Sequence, residues 1–127
     1  MANRTPEQTF RALLAGVSAG AGSELADLYA PDARVEHPLD PDGAPPLEGR
    51  DALRAHFAAD EGPSLHLRPV DVVVHTTTDP EVIVGEFVYE VLDARDRVQQ
   101  RLPCVFIMRV RDGLIVDSRD YAPPPPA

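Results

Sequence analysis

The chain has 127 residues, 43% of them hydrophobic and 26% charged, with a formal charge of −9; that length suits one domain with a real core, and the acidic balance speaks against nucleic acid or an anionic membrane as partner. A single cysteine, Cys104, cannot close an internal disulfide. The opening "MANRTPEQTF" lacks the apolar centre of a secretory signal and no apolar run approaches the ~20 residues of a membrane span, so the cytoplasm is the expected location.

The first element is a helix in "TPEQTFRALLAGV". Thr5 serves as N-cap, Pro6 takes the first helical position, Gln8 completes a capping box, and Phe10, Leu13, Leu14 and Val17 recur at helical spacing on one buried face. "SAGAGS" breaks it. Ser23 can cap a second short helix with Leu25, Leu28 and Tyr29 on one face, ended by Pro31. "ARVEH" then reads as a strand that puts Val35 and His37 on one side and Arg34 and Glu36 on the other. The proline-rich loop "PLDPDGAPP" leads to a third helix in "GRDALRAHFAADEG", anchored by Leu53 and Phe57.

From Leu65 onward the period becomes alternating, the sign of a sheet. "LHLRPVDVVVH" is a strand bent at Pro69, "EVIVGEFVYEVL" a second, and "RLPCVFIMRVRDGLIVDSRDY" a hairpin. Helices first and an antiparallel meander after them argue an α+β fold with the helices on one face of a curved sheet. The inner series are Ile83, Gly85, Phe87, Tyr89, Val91 and Leu102, Cys104, Phe106, Met108, Val110. The last strand fits either face. A three-residue "RDG" loop would pair Val110 with Leu114, Phe106 with Ser118 and Cys104 with Asp120, pointing Asp120 inward; a two-residue "DG" turn would shift the pairing by one and point it out. The longer loop is preferred because it leaves Asp117 and Arg119 in solvent.

A capped helix, "ELADLYAPDARVEHP", a proline-rich loop closing at "EGRDALRAHF" and a meander ending "MRVRDGLIVDSRDY" together resemble the nuclear-transport-factor-2-like superfamily, and within it ketosteroid isomerases and SnoaL-like polyketide cyclases. The resemblance runs from Thr5 to Tyr121. It implies a conical cup, three N-terminal helices on a strongly curved, mostly antiparallel sheet (a cystatin-like α+β barrel), spanning residues 1–122 as one domain before a proline tail at 123–127. It also implies an apolar cavity and a homodimer. Val35-Glu36-His37-Pro38 matches the "VEDP" segment in which ketosteroid isomerase keeps its base, so His37 takes that role by resemblance. The isomerase's oxyanion donors would fall near Leu13 and Phe106, and neither residue can donate, which departs from that mechanism. Asp120 in "SRDY" matches in outline the last-strand aspartate of cyclases and epoxide hydrolases.

The expected function is cofactor-independent acid/base chemistry on a hydrophobic, carbonyl-bearing small molecule: cyclisation, isomerisation or dehydration. His37 would remove a proton α to the carbonyl, while Asp120, helped by Tyr89, would steady the enolate or return the proton. Tyr29, Phe57, Phe87, Phe106, Met108 and Ser118 would line the cup against substrate. Each has a structural alternative: His37 bonded to a loop carbonyl, Asp120 in solvent or paired with Arg, Tyr89 bonded to a helix, Tyr29 and Phe57 as plain core. His56, His66 and His75 form no metal motif, so no metal or cofactor is expected. Cys104 reads as a packed hydrophobe. The alternatives for the whole protein are an epoxide hydrolase, which would need an Asp-Arg-Asp cluster inside the cup, and a non-catalytic ligand-binding module.

Overall fold

The structure, a computed structural model, describes residues 3–59 and 66–123. Helix α1 (Pro6–Ser18) begins as its sequence dictates: the Gln8 N–H donates to Thr5 Oγ1 at 3.1 Å, and the Thr5 N–H to Gln8 Oε1 at 2.9 Å. Its buried face carries Thr9, Phe10, Leu13 and Leu14. The second helix is 3-10 (Gly22–Leu28), so Ser23 lies inside it rather than capping it. Strand β1 (Tyr29–Glu36) therefore starts earlier than "ARVEH" suggests, and Pro31 falls inside the strand instead of ending the helix. Pro31 is tolerated because the register between β1 and its neighbour shifts between Tyr29 and Arg34, where a missing N–H is not needed by the ladder. The expected loop also contains a two-residue strand, β2 (Leu47–Glu48), ahead of α2 (Arg50–Ala59).

The remaining strands are β3 (His66–Thr76), β4 (Val82–Leu92), β5 (Val98–Arg111) and β6 (Leu114–Tyr121), in one six-stranded sheet of order β2-β1-β6-β5-β4-β3. All pairs are antiparallel except β1 with β6. The sheet curls around the helices without closing, so the cup is open-edged and not a barrel. The predicted start of the third strand at Leu65, the end of the third helix beyond Ala59 and the tail from 124 lie outside the described residues. The bend expected at Pro69 occurs two residues later. Pro69 pairs regularly with Tyr89 on this edge strand, whereas the register slips between Val70 and Val73 and Asp71 adopts φ 56°.

The hairpin register also corrects the sequence reading. The turn is the two-residue type, with Asp112 and Gly113 both at positive φ (53° and 79°) and Arg111 opposite Leu114. Asp120 nevertheless faces inward, opposite Phe106, with Met108 opposite Ser118. A bulge reconciles the two: Val110 pairs with Ile115 but Arg109 with Asp117, so Val116 is an extra residue that flips the parity of the strand. Ile115, Ser118 and Asp120 are thereby all buried on the same side.

Helix α1 seats on the inner face through Phe10. Its ring lies over Gly85, where a Cβ would stand 2.3 Å from Phe10 Cζ, and it packs against Phe87 and Phe106 at centroid distances of 5.8 and 6.3 Å. Helix α2 is tied down by two arginines: Arg50 donates from Nε and Nη2 to the Tyr29 carbonyl (2.9 and 2.6 Å), and Arg54 Nη1 donates to the Ser23 carbonyl (3.2 Å). No helix among the described residues is long and apolar enough to cross a membrane.

Candidate functional site

Between the inner sheet face and the two α-helices lies a cavity of about 70 Å³. His37 comes to it from the residue just after β1 and Asp120 from β6, the strand beside β1. His37 Nε2 stands 3.9 Å from Asp120 Oδ2. That is too long for a direct hydrogen bond, and short enough for one ligand atom to meet both groups. The imidazole sits at the rim with 36% of its side chain exposed, the carboxyl inside with 11%. Desolvation pushes the Asp120 pKa up to about 7, against a smaller opposing effect of Ser118 Oγ, which donates to Asp120 Oδ1 at 2.5 Å.

Tyr89, on β4, also lines the cavity; its ring meets Phe87 edge-on at 4.8 Å. Burial raises the Tyr89 phenol well above its ordinary range, helped by Cys104 and Asp120. Tyr29 and Phe57 face one another across the cavity wall at 5.9 Å, and burial, then the charge of Asp120, raises the Tyr29 phenol in the same way. Phe106 is also lining. So is Leu13, which means that both positions assigned by resemblance to the isomerase's donors are apolar wall.

Three expected lining residues stand elsewhere. Phe87 belongs to the ring cluster beneath the cavity, 5.0 Å from Phe106; Met108 is sealed in the core at 1% exposure; Ser118 reaches the site only through its bond to Asp120. The strand alternation identified their face correctly, but a cavity occupies only the part of that face the helices leave uncovered.

Sequence reasoning missed His56 on α2, which lines the cavity with its ring centroid 5.6 Å from that of His37. A usable signal existed: His56 follows the anchor Leu53 by three positions, one turn along the same helix face. Among the described residues no group of three His, Cys, Asp or Glu side chains could hold a metal ion. Cys104 is buried, and burial lifts its thiol to about 11, which leaves it protonated and unreactive.

The arginines of the hairpin point away. Arg109 Nη1 donates to Asp79 (2.9 Å) and Glu81 (3.0 Å), Arg111 binds Glu81, and Arg119 is exposed. No arginine lines the cavity among the described residues, so the Asp-Arg-Asp arrangement of an epoxide hydrolase is missing there.

Comparison with known proteins agrees with this fold. A crystal structure of a candidate isomerase from Bacillus subtilis superposes with TM-score 0.79 at 25% identity, over 91% of this chain and 84% of that one. A candidate polyketide cyclase from Pseudomonas putida gives 0.73 at 18% identity, over 94% and 92%. A protein with a ketosteroid isomerase-like fold from Catenulispora acidiphila, solved with trimethylamine, gives 0.68 at 20% identity, over 93% and 86%. An uncharacterized PhzA/B-like protein, PA3332, of Pseudomonas aeruginosa is 30% identical over 96 residues, 75% of this chain and 67% of that protein. The model of the SnoaL-like domain matches residues 10–118, most of the chain, and the chain belongs to the SnoaL-like domain family.

Proposed function

We propose that this protein is a cofactor-independent cytoplasmic enzyme that moves a proton α to the carbonyl of a hydrophobic small molecule, in a polyketide-type cyclisation, isomerisation or dehydration. The observation that carries the reading is the facing pair His37 and Asp120 in one largely apolar cavity. His37 takes the proton from carbon, since an imidazole titrates near neutrality. Asp120, whose pKa of about 7 leaves it substantially protonated at neutral pH, hydrogen-bonds the enolate or returns a proton. The apolar walls strengthen both interactions by excluding water.

The test is exchange of α-protons of acetophenone and 2-cyclohexenone for deuterium in heavy water, followed by proton NMR. Exchange well above buffer, falling at least about 100-fold in His37→Ala and Asp120→Asn, is the expected outcome. Absence of exchange, or full rate in His37→Ala, overturns it. If those ketones still bind and neither substitution weakens them, the protein is a ligand-binding module of the same fold.

The reading includes a second copy of this chain as partner, as the resemblance to this superfamily implies. The outer face of β4 and β5, which no helix among the described residues covers, carries the half-buried Val84, Val88, Val105 and Ile107. Light scattering should give twice the chain mass for the wild type and the monomer mass for Ile107→Glu; a monomeric wild type removes this part of the proposal.

A further inference from the structure

We propose that the hydroxyls of Tyr29 and Tyr89 form a two-donor clamp for the carbonyl oxygen of a compact, single-ring ketone or enone, replacing the oxyanion donors absent from Leu13 and Phe106. The proposal rests on the carbonyl reading above and assigns its oxygen a place.

Both tyrosines are buried, at 1% and 8% exposure, and both line the cavity. Neither hydroxyl makes a hydrogen bond to any described residue. Yet every side-chain nitrogen or oxygen sealed from solvent among those residues has a partner. The two phenolic oxygens are therefore not sealed: they open onto the cavity with their donor capacity unused. A buried tyrosine ordinarily finds a partner, so two unpartnered hydroxyls in one pocket point to a ligand oxygen.

The donors are held rigidly. Tyr29 opens β1, with its carbonyl gripped by Arg50 and its ring against Phe57; Tyr89 sits mid-strand in β4 with its ring wedged on Phe87. Both hydroxyls stay protonated through neutral pH because burial raises their pKa values, so they act as neutral donors. Donors fixed before the reaction stabilise developing charge without reorganising. As the C–H bond breaks, its proton goes to His37, and the electron pair forms the new C=C bond while the carbonyl π pair moves to oxygen. The two O–H groups meet that charge, and the proton returns to the same or the conjugated carbon.

Size follows from the walls. A cavity of about 70 Å³ with His37 at its exposed rim takes a compact single ring, whose substituents can extend outward past that rim.

The test uses acetophenone, isotope-labelled at the carbonyl, bound to the full chain. NMR titration gives its affinity, and infrared difference spectroscopy gives the bound carbonyl stretch. The expected result is saturable binding with the stretch below its value in cyclohexane, moving part of the way back in Tyr29→Phe and in Tyr89→Phe. α-Proton exchange should fall roughly 100-fold in each. A wild-type stretch equal to that in cyclohexane overturns the clamp with no variant needed, as does a shift that both Phe variants retain, or no binding at all. The two proposals fail separately: a shifted stretch without exchange removes the proton-transfer reading and keeps the clamp, whereas exchange with an unshifted stretch does the reverse.

Discussion

Ser118 donates a 2.5 Å hydrogen bond to Asp120 from two positions earlier on the same strand, and both side chains are buried on the inner face. The bond favours the charged carboxylate, whereas burial, the larger effect, favours the neutral acid. Ser118→Ala removes only the first influence. The Asp120 pKa should then rise beyond about 7, visible as an upward shift of its carboxyl titration by carbon NMR; an unchanged or lower value would mean that the hydroxyl does not hold the carboxylate.

Asp120 also sets a pH dependence of stability. Its pKa rises from 3.8 unfolded to about 7 folded, so the folded chain holds the proton more tightly. The resulting stabilisation is complete below pH 3.8 and is lost as pH climbs to about 7, a swing on the order of 4 kcal/mol at most. Asp120→Asn abolishes the swing. Urea unfolding at pH 5 and pH 8 should find the variant gaining on the wild type at the higher pH, and a constant difference between them would mean the carboxyl is effectively solvated. The comparison must be made between the two proteins. Asp79 and Glu81 are held below their ordinary range by a backbone N–H and by Arg109 and Arg111, and contribute the opposite slope in acid to both.

The seat of α1 on the sheet depends on Gly85 having no side chain. A Cβ there would meet three atoms of the Phe10 ring at 2.3 to 2.7 Å, and Phe10 is itself fixed between Phe87 and Phe106. Gly85→Ala should destabilise the protein by about 1–3 kcal/mol. Combining it with Phe10→Leu should give less than the sum of the two single effects, because each relieves the other. Strict additivity in a denaturation cycle would show that the ring moves aside freely.

What could be read from the sequence follows how local each cause is. Helix α1 was legible because its capping box and apolar spacing are written within a dozen residues, and the inner series of β4 and β5 because alternation needs no partner. The start of β1 was hidden, since Tyr29 is drawn into the sheet by Ile115 at the other end of the chain. His37 and Asp120 were legible as inward-facing residues. His56 was legible only as a residue one turn beyond Leu53 on the same helix face; that this face meets the cavity is decided by Arg50 and Arg54 gripping distant carbonyls. The open hydroxyls of Tyr29 and Tyr89 could not be read from residue type either, since being unpartnered is a property of everything around them.

The inward direction of Asp120 had the right outcome on the wrong turn, and the difference is testable. The Asp112-Gly113 turn fixes Arg111 opposite Leu114, and with regular pairing thereafter Ser118 and Asp120 would face out. Val116 is the residue that reverses them. Deleting Val116 while keeping the turn forces a choice between burying Ile115 on one side of the missing residue and burying Ser118 and Asp120 on the other. Either choice strips apolar contacts or leaves the cavity without its carboxyl, so loss of several kcal/mol of stability or of all α-proton exchange is expected. A deletion of Asp112 in addition would leave a one-residue connection too tight for a hairpin, so it should not rescue the chain. Replacing Val116 by Ala keeps the count and should cost about 1 kcal/mol with exchange intact, because what matters at this position is that a residue is present. If the deletion variant keeps both wild-type stability and exchange, the bulge is not what turns Asp120 inward.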